Sequence, residues 1–441
     1  MSRKKRVYLV SLGCPKNLVD TEHMLGLLVR EGYEPSTTVE SADLALVNTC
    51  AFIEDAVKES IDTILELADL RARGAISCLV VTGCLVQRYG YKLGKNIPEV
   101  DLWLGTGEVG SVVDCLKRSE KKVYLSRPSS LPGIDSPRVR CTPFYTSYLR
   151  IAEGCSHRCS FCLIPKLRGP LRSRTIESIL FEAKQLAEQG VRELNIIAQD
   201  ITAYGRDLGM KWGLESLVEK LASVEGIQWI RLLYAHPNGV SERLLRIMET
   251  VDKVCPYLDI PFQHVNKKLL AAMGRQGDEE PKRLVERIEA CSREIAIRTT
   301  LMVGFPGEGE REFKELREFV QWAELDHVGV FVFSKENGTR AQRLDGEVSK
   351  KVAEERKEEI MRLQSEISFK KNQEKVGACL PVLIEGISDE TDLLLKGRTQ
   401  QMAPEIDGQV LINRGQGREG AIMPVRITEA YHYDLVGEIV G

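Results

Sequence analysis

Short, continuous apolar runs mark the first part of the chain. Val7-Tyr-Leu-Val-Ser-Leu-Gly-Cys14, Leu44-Ala-Leu-Val-Asn-Thr-Cys50 and Cys78-Leu-Val-Val-Thr-Gly-Cys84 are rich in aliphatic residues. Runs of that kind suit parallel strands buried on both faces. Between them the pattern turns helical, over Asp20 to Arg30 and over Ala56 to Leu70. Strand–helix alternation predicts a doubly wound α/β domain across residues 1–120. Each run ends in a cysteine. Ligands of open α/β sheets sit beyond the carboxyl ends of the strands, so Cys14, Cys50 and Cys84 are expected on one rim. Free cysteine also packs as a small hydrophobe, but a shared strand-end position is not what core packing requires.

Residues 121–140, with Ser126-Arg-Pro-Ser-Ser-Leu-Pro-Gly133, read as a linker. From 141 to 369 six further strand-like runs alternate with helical stretches. They are Ser147 to Ala152, Glu193 to Ala198, Trp229 to Tyr234, Tyr257 to Ile260, Arg298 to Val303 and His327 to Phe333. Six such units predict an incomplete (β/α)6 barrel, whose chemistry belongs at the carboxyl ends of its strands. Those ends carry Cys155, Gln199-Asp200, His236-Pro237, Gln263-His264 and Gly304-Phe-Pro-Gly-Glu308. Asp200 suits a ribose hydroxyl, and Gly304 and Gly307 allow backbone to approach a ligand or simply make a turn. A charged helix with an apolar stripe, Ser349 to Gln373, closes this segment.

Helical periodicity stops after that helix. Short strands separated by Gly and polar turns predict a small antiparallel β-barrel over 370–441. From Val376 onward ten acidic residues face five Lys and Arg. Such a module repels phosphate and suits a basic protein partner.

The cysteines add the chemistry. Cys155-Ser-His-Arg-Cys159-Ser-Phe-Cys162 places three thiols within one short turn-prone stretch, and the next cysteine is Cys255. Iron–sulfur clusters ordinarily take four thiolates. Three leave one iron open to a small ligand. Zinc sites favour paired C-x2-C or added histidines, so a zinc knuckle or a plain redox thiol cluster fits less well. The strand-end set Cys14, Cys50 and Cys84 repeats the three-ligand arithmetic. Arg168, Arg172 and Arg174, just past the second set, suit an anionic group or a solvated basic loop. Twelve cysteines in 441 residues do not make a disulfide scaffold and point to a reducing, cytoplasmic setting. A net charge of −3 argues against a protein that coats nucleic acid. The basic start Met1-Ser-Arg-Lys-Lys-Arg precedes an apolar run too short for a secretory signal, and no stretch is long enough to span a membrane.

The C-x3-C-x2-C run, with Phe161 before its last cysteine, resembles the radical S-adenosylmethionine (SAM) enzymes. The order of three strand-end cysteines, this run and a terminal barrel resembles the methylthiotransferases, with a barrel similar to their TRAM domain. Ser11-Leu-Gly-Cys-Pro-Lys-Asn-Leu-Val-Asp20, Tyr257-Leu-Asp-Ile-Pro-Phe-Gln-His264, Phe333-Ser-Lys-Glu-Asn-Gly-Thr339 and Met361-Arg-Leu-Gln-Ser-Glu-Ile367 resemble the RimO branch; the MiaB branch carries Gln-Met in place of Pro15-Lys16. The resemblance implies two 4Fe–4S clusters, held by Cys14, Cys50, Cys84 and by Cys155, Cys159, Cys162. It implies SAM, for which Phe161, Gln199, Asp200, Gly304 and Gly307 are the candidate contacts. It implies methylthiolation of the β-carbon of an aspartate in the basic twelfth protein of the small ribosomal subunit. The radical arises at the Cys155 set, and no acid–base catalyst is assigned. A sulfur donor, a one-electron reductant and contact with the ribosome or its RNA complete the implied partners. Two other readings stand: a tRNA (adenosine) methylthiotransferase and a non-catalytic iron–sulfur redox or sensor protein.

Overall fold

The computed structural model describes residues 4–440 except 119–121, 130 and 278. The first residues of the basic start, Ser130 of the linker and Gly441 therefore lie outside the described residues.

Strands β1 (Arg6–Ser11), β2 (Glu34–Ser36), β3 (Leu44–Thr49), β4 (Cys78–Gly83), β5 (Leu102–Leu104) and β6 (Val123–Tyr124) form one parallel sheet in the order 2-1-3-4-5-6. Helix α1 (Pro15–Arg30) follows β1, α2 (Glu54–Ala72) follows β3 and α3 (Cys84–Asn96) follows β4. Every residue of β3 is buried, as a continuous apolar run demands. Its alternate side chains feed two cores. Ala45 and Val47 join Leu79, Val81 and Trp103 on one face, while Leu44 and Leu46 join Val80, Leu102 and Leu104 on the other. The sheet is thus doubly wound, as expected. Two short strands were not legible in the sequence, and β6 lies inside the stretch read as linker. Helix α1 begins at Pro15 rather than near Asp20, because proline at the first helical position leaves no intrahelical donor unpaired.

The central sheet contains β7 (Thr146–Arg150), β10 (Glu193–Ile197), β11 (Trp229–Leu232), β12 (Val254–Asp259), β13 (Ala296–Val303) and β14 (His327–Val332). All pairs are parallel, in unbroken sequence order from β7 to β14, and the two end strands do not meet. This is the open six-stranded barrel expected. A small side hairpin, β8 (Ala152–Glu153) with β9 (Arg172–Ser173), flanks the segment that carries Cys155, Cys159 and Cys162. The helix Lys350–Glu374 lies along β14.

Strands β15 (Cys379–Ile387), β16 (Leu395–Thr399), β17 (Val410–Arg414), β18 (Ile422–Ala430) and β19 (Leu435–Ile439) close a barrel. One departure from expectation is the β17–β19 pair, which is parallel while the others are antiparallel. Asp392-Leu-Leu-Leu, read as a strand, is largely a turn, with β16 starting at Leu395.

The three units share core. Val19 of α1, Ile197, Trp229 and Tyr257 of the central sheet and Leu383 and Ala403 of the small barrel form one apolar cluster. Beside it Glu193, fully buried, accepts from Arg231 at 3.0 Å and from Arg398 of the small barrel at 2.7 Å. Arg398 also donates to Glu385 at 2.8 Å. Glu385, counted above among the acids of the barrel, is therefore spent on internal pairing and not on an outer face. Asp389, Glu390 and Asp392 remain exposed at the β15–β16 turn.

The two arginines beside Glu193 hold its carboxyl down at about 2, against an ordinary 4.5. A depressed carboxyl stabilises the fold above its unfolded value and loses that effect as pH falls through its folded one. The shift corresponds to about 3 kcal/mol. Glu193→Gln is expected to cost about 3–5 kcal/mol at neutral pH, because two buried guanidinium groups lose their shared partner. In urea melts the gap between wild type and variant should narrow as pH drops below 4.5. A constant gap down to pH 3 would contradict this account.

Candidate functional site

Cys14 follows β1, Cys50 follows β3 and Cys84 opens α3 directly after β4. In the strand order 2-1-3, β1 and β3 flank the point where the winding reverses, which is where open α/β sheets leave a crevice. The structure brings the three cysteines together there. Gly13, at φ +86°, makes the approach possible: a Cβ on it would lie 2.6 Å from Cys50 Cβ and 2.8 Å from Cys50 Sγ. Gly83, at φ +101°, has Asn48 Oδ1 and Thr49 O in the space a side chain needs.

Asn17, fully buried on the first turns of α1, ties the rim together. It donates to Leu12 O at 2.9 Å and Thr49 O at 3.1 Å. Its Oδ1 accepts from Arg168 and lies 4.0 Å from Cys84 Sγ. Arg168 comes from the central unit, just after the second cysteine set. It donates to Asp20 at 2.5 Å, as Arg150 does at 2.5 Å. Arg150 continues to Glu153 at 2.8 Å, and Gln199 donates to Glu153 at 2.7 Å. A buried polar chain therefore runs from the Cys14 rim to the end of β10.

The second set lies in an irregular loop on the neighbouring face. Gly154, at φ +76°, packs so closely on Pro170 O that a Cβ would lie 2.1 Å from it. Cys155 N–H donates to Gly169 O at 3.0 Å, and Cys162 Sγ accepts from Ile164 N–H at 3.4 Å. Arg275 reaches Cys159 Sγ at 3.9 Å and Pro261 O at 2.6 Å. Burial pushes Cys84 and Cys155 up to about 11 and Cys162 up to about 12. Metal binding has to displace those protons.

Among the described residues no three Cys, His, Asp or Glu side chains stand at the spacing of a single bound metal ion. A cubane of four irons sits between its thiolates and holds them farther apart. Each set also has a buried or half-buried arginine at hand, Arg168 for the first and Arg275 for the second, to offset the negative charge of thiolate-bound clusters. The donor sets fit that group.

The proposed SAM contacts are placed as follows. Phe161 packs with Leu269, Met273 and Phe305 beside the second set. Gln199 is bonded to Glu153. Asp200, read as a ribose partner, accepts from Thr202 N–H at 2.9 Å and pairs with His157 Nε2 at 2.6 Å. Gly304, at φ +75°, makes room for Ala353 of the long helix, 2.6 Å from where its Cβ would be, so its smallness serves helix packing. Gly307 donates to Gly346 O at 2.8 Å and has only Leu269 nearby. Sequence reading missed Asn17, Asp20, Arg150, Glu153 and Arg275. Asn17 and Asp20 stand in the first and second turns of the helix that follows Cys14, a signal that was available.

Residues 6–105 match the model of the uncharacterized protein family UPF0004, residues 149–320 the radical SAM superfamily and residues 376–440 the TRAM domain. The ribosomal protein uS12 methylthiotransferase RimO of Geotalea uraniireducens (strain Rf4) is 49% identical over 100% of this chain and 99% of its own. That of Geobacter sulfurreducens is 47% identical over 99% of both chains. The chain belongs to the RimO family of methylthiotransferases. RimO enzymes are radical SAM enzymes that use SAM and 4Fe–4S clusters. Among solved structures, the radical SAM methyltransferase TsrM from Kitasatospora setae superposes with TM-score 0.53 at 15% identity, covering 75% of each chain. The cobalamin-dependent radical enzyme OxsB gives 0.51 at 14% identity, over 82% of this chain and 58% of that one. Those two likenesses concern fold alone. No helix among the described residues is long and apolar enough to cross a membrane.

Asp20 stands between two arginines at the junction of the amino-terminal and central units, and removing it leaves both to share the Glu153 carboxylate. Asp20→Ala is expected to destabilise the protein by about 3–5 kcal/mol. Limited proteolysis should then cut first between the amino-terminal and central units. Wild-type stability in the variant would mean that the seam is held by its apolar contacts alone.

Proposed function

We infer that this chain adds a methylthio group to the β-carbon of an aspartate in ribosomal protein uS12. The observation that carries the reading is the presence of two three-cysteine sets, each with an arginine beside it, in a chain related to RimO enzymes along its whole length. Cys14, Cys50 and Cys84 hold one 4Fe–4S cluster, and Cys155, Cys159 and Cys162 hold the other. Bound there, the clusters and SAM supply the sulfur, the methyl group and the one-electron cleavage that an unactivated C–H bond requires.

The chain itself supplies positioning and charge. Asn17 pins the loops after β1 and β3 to Arg168. Arg168 and Arg275 place positive charge beside the two sets. The Asp20 and Glu153 carboxylates keep Arg150 and Arg168 paired, so no bare buried ion is left there. Phe161 gives the second set an apolar wall. A basic uS12 loop suits the exposed carboxylates Asp389, Glu390 and Asp392 at the tip of the small barrel. The sulfur donor, the reductant and any ribosomal RNA contact lie outside this chain, and a ribosomal substrate places the reaction in the cytoplasm. A tRNA substrate is disfavoured by the same acidic tip.

Anaerobically reconstituted protein should hold about eight irons, about four per cubane. Replacing Cys155, Cys159 and Cys162 with Ala should leave about four and abolish SAM cleavage. Replacing Cys14, Cys50 and Cys84 should stop product formation while reductive SAM cleavage persists. Mass spectrometry of uS12 and of tRNA from a deletion strain decides the substrate. Loss of the modification from tRNA with uS12 unchanged would overturn the reading.

A further inference from the structure

Beside the first cysteine set lies a cation that the reaction has not yet used. Lys16 stands two residues after Cys14, on the opening turn of α1. Its ammonium sits 3.4 Å above the centre of the Tyr234 ring. Tyr234 follows β11 at the carboxyl end of the central sheet, and its backbone is held at φ +68°, a costly conformation for a residue with a side chain. Asp259, at the end of β12, fixes that turn by accepting from Tyr234 N–H at 3.1 Å. Two residues further on, Pro261 O receives Arg275, whose other nitrogen faces Cys159 Sγ. Lys16 is thus joined through Tyr234, Asp259 and Arg275 to the second set, while its own helix begins at the first.

The other cations along this seam are occupied. Arg150 and Arg168 share Asp20, and Arg298 is paired with Asp259 at 3.1 Å and Asp407 at 3.4 Å. Arg275 is turned to sulfur and to a carbonyl. Lys16 has no carboxylate within ion-pair distance among the described residues, and the aromatic face beneath it offers attraction without neutralising it. As a residue Lys16 is half-buried, while its ammonium is enclosed against the ring. An ammonium held over an aromatic ring is a ready seat for a carboxylate, because the charge-assisted hydrogen bond forms where water is scarce.

We propose that Lys16 is the substrate-binding residue that takes the side-chain carboxylate of the target aspartate. The inference rests on the methylthiotransferase reading above. The carbon that receives the methylthio group is bonded to that carboxylate. A group that grips the carboxylate must therefore lie beside the Cys14 set and be linked to the Cys155 set, as Lys16 is through Tyr234, Asp259 and Arg275. The Tyr234 ring beneath holds the ammonium from below, and the strained turn keeps the ring in place. Asparagine at the target position keeps the shape of the side chain but not its charge, so the site discriminates between the two.

The test is binding of whole uS12 to the reconstituted holoenzyme with SAM and without reductant, so that nothing turns over. Two uS12 forms are compared, one with the target aspartate and one with asparagine there. Wild type should bind the aspartate form about tenfold more tightly or better. Lys16→Met, with iron content at the wild-type level, should bind both forms alike, and Lys16→Arg should keep most of the preference. A cation that merely clamps Tyr234 would weaken both forms equally in Lys16→Met and leave their ratio intact, which would overturn the proposal. Equal binding of the two forms by wild type overturns it with no variant needed. Failure of wild type to bind either form would overturn the uS12 reading and this inference together.

Discussion

Asp20 is the hinge of the architecture. It is a buried carboxylate on α1 whose two partners, Arg150 and Arg168, both belong to another unit. None of the three charges is tolerable alone in that interior. Together they make a closed set, and Arg168 extends it to Asn17 and hence to the cysteine rim. The amino-terminal sheet and the central sheet therefore cannot part without leaving the Asp20 carboxylate bare and the two guanidinium groups with Glu153 as their one shared carboxylate. This pairing ties the unit that carries Cys14, Cys50 and Cys84 to the unit that carries Cys155, Cys159 and Cys162.

The opposite end of the central barrel is fastened by the same device. Glu193, Arg231 and Arg398 form a buried carboxylate with two arginines, one of them from the small barrel. Tyr257 adds a hydrogen bond to Asp407 at 2.7 Å. The small barrel thus plugs the mouth opposite the cysteines. Its exposed acidic turn projects from a body that is firmly anchored, so a partner bound at that turn is held in a defined position relative to the seam. Apolar burial supplies bulk stability at both ends. The ionic sets supply register, since an apolar surface slides more readily than a bidentate pair.

Glycine plays two different parts in this frame. Gly13 and Gly83 sit where backbone must pass against another strand end with positive φ, and both serve the cysteine rim. Gly304 has the same backbone sign and the same strand-end position, yet its space is filled by Ala353 of a helix. A strand-end glycine in a barrel is consistent with either role, and only the neighbour decides.

The sequence by itself determined the long apolar strands of the first two units, their doubly wound and open-barrel classes, the strand-end placement of Cys14, Cys50 and Cys84 and the tight C-x3-C-x2-C set. These are local matters: apolar runs and residue spacing are written in consecutive positions, and the topology of α/β folds carries a strand-end residue to a known rim. Tertiary structure alone decided which charges meet. Asp20 and Arg168 are 148 positions apart and Glu193 and Arg398 are 205, and no periodicity links such pairs. It also decided that Asp200 belongs to His157 and Thr202, that Glu385 turns inward to Arg398 and that Lys16 meets no carboxylate at ion-pair distance among the described residues. An ion pair depends on distance through space, and in a chain of three units that distance is set by how the units dock rather than by anything either residue has beside it in the chain.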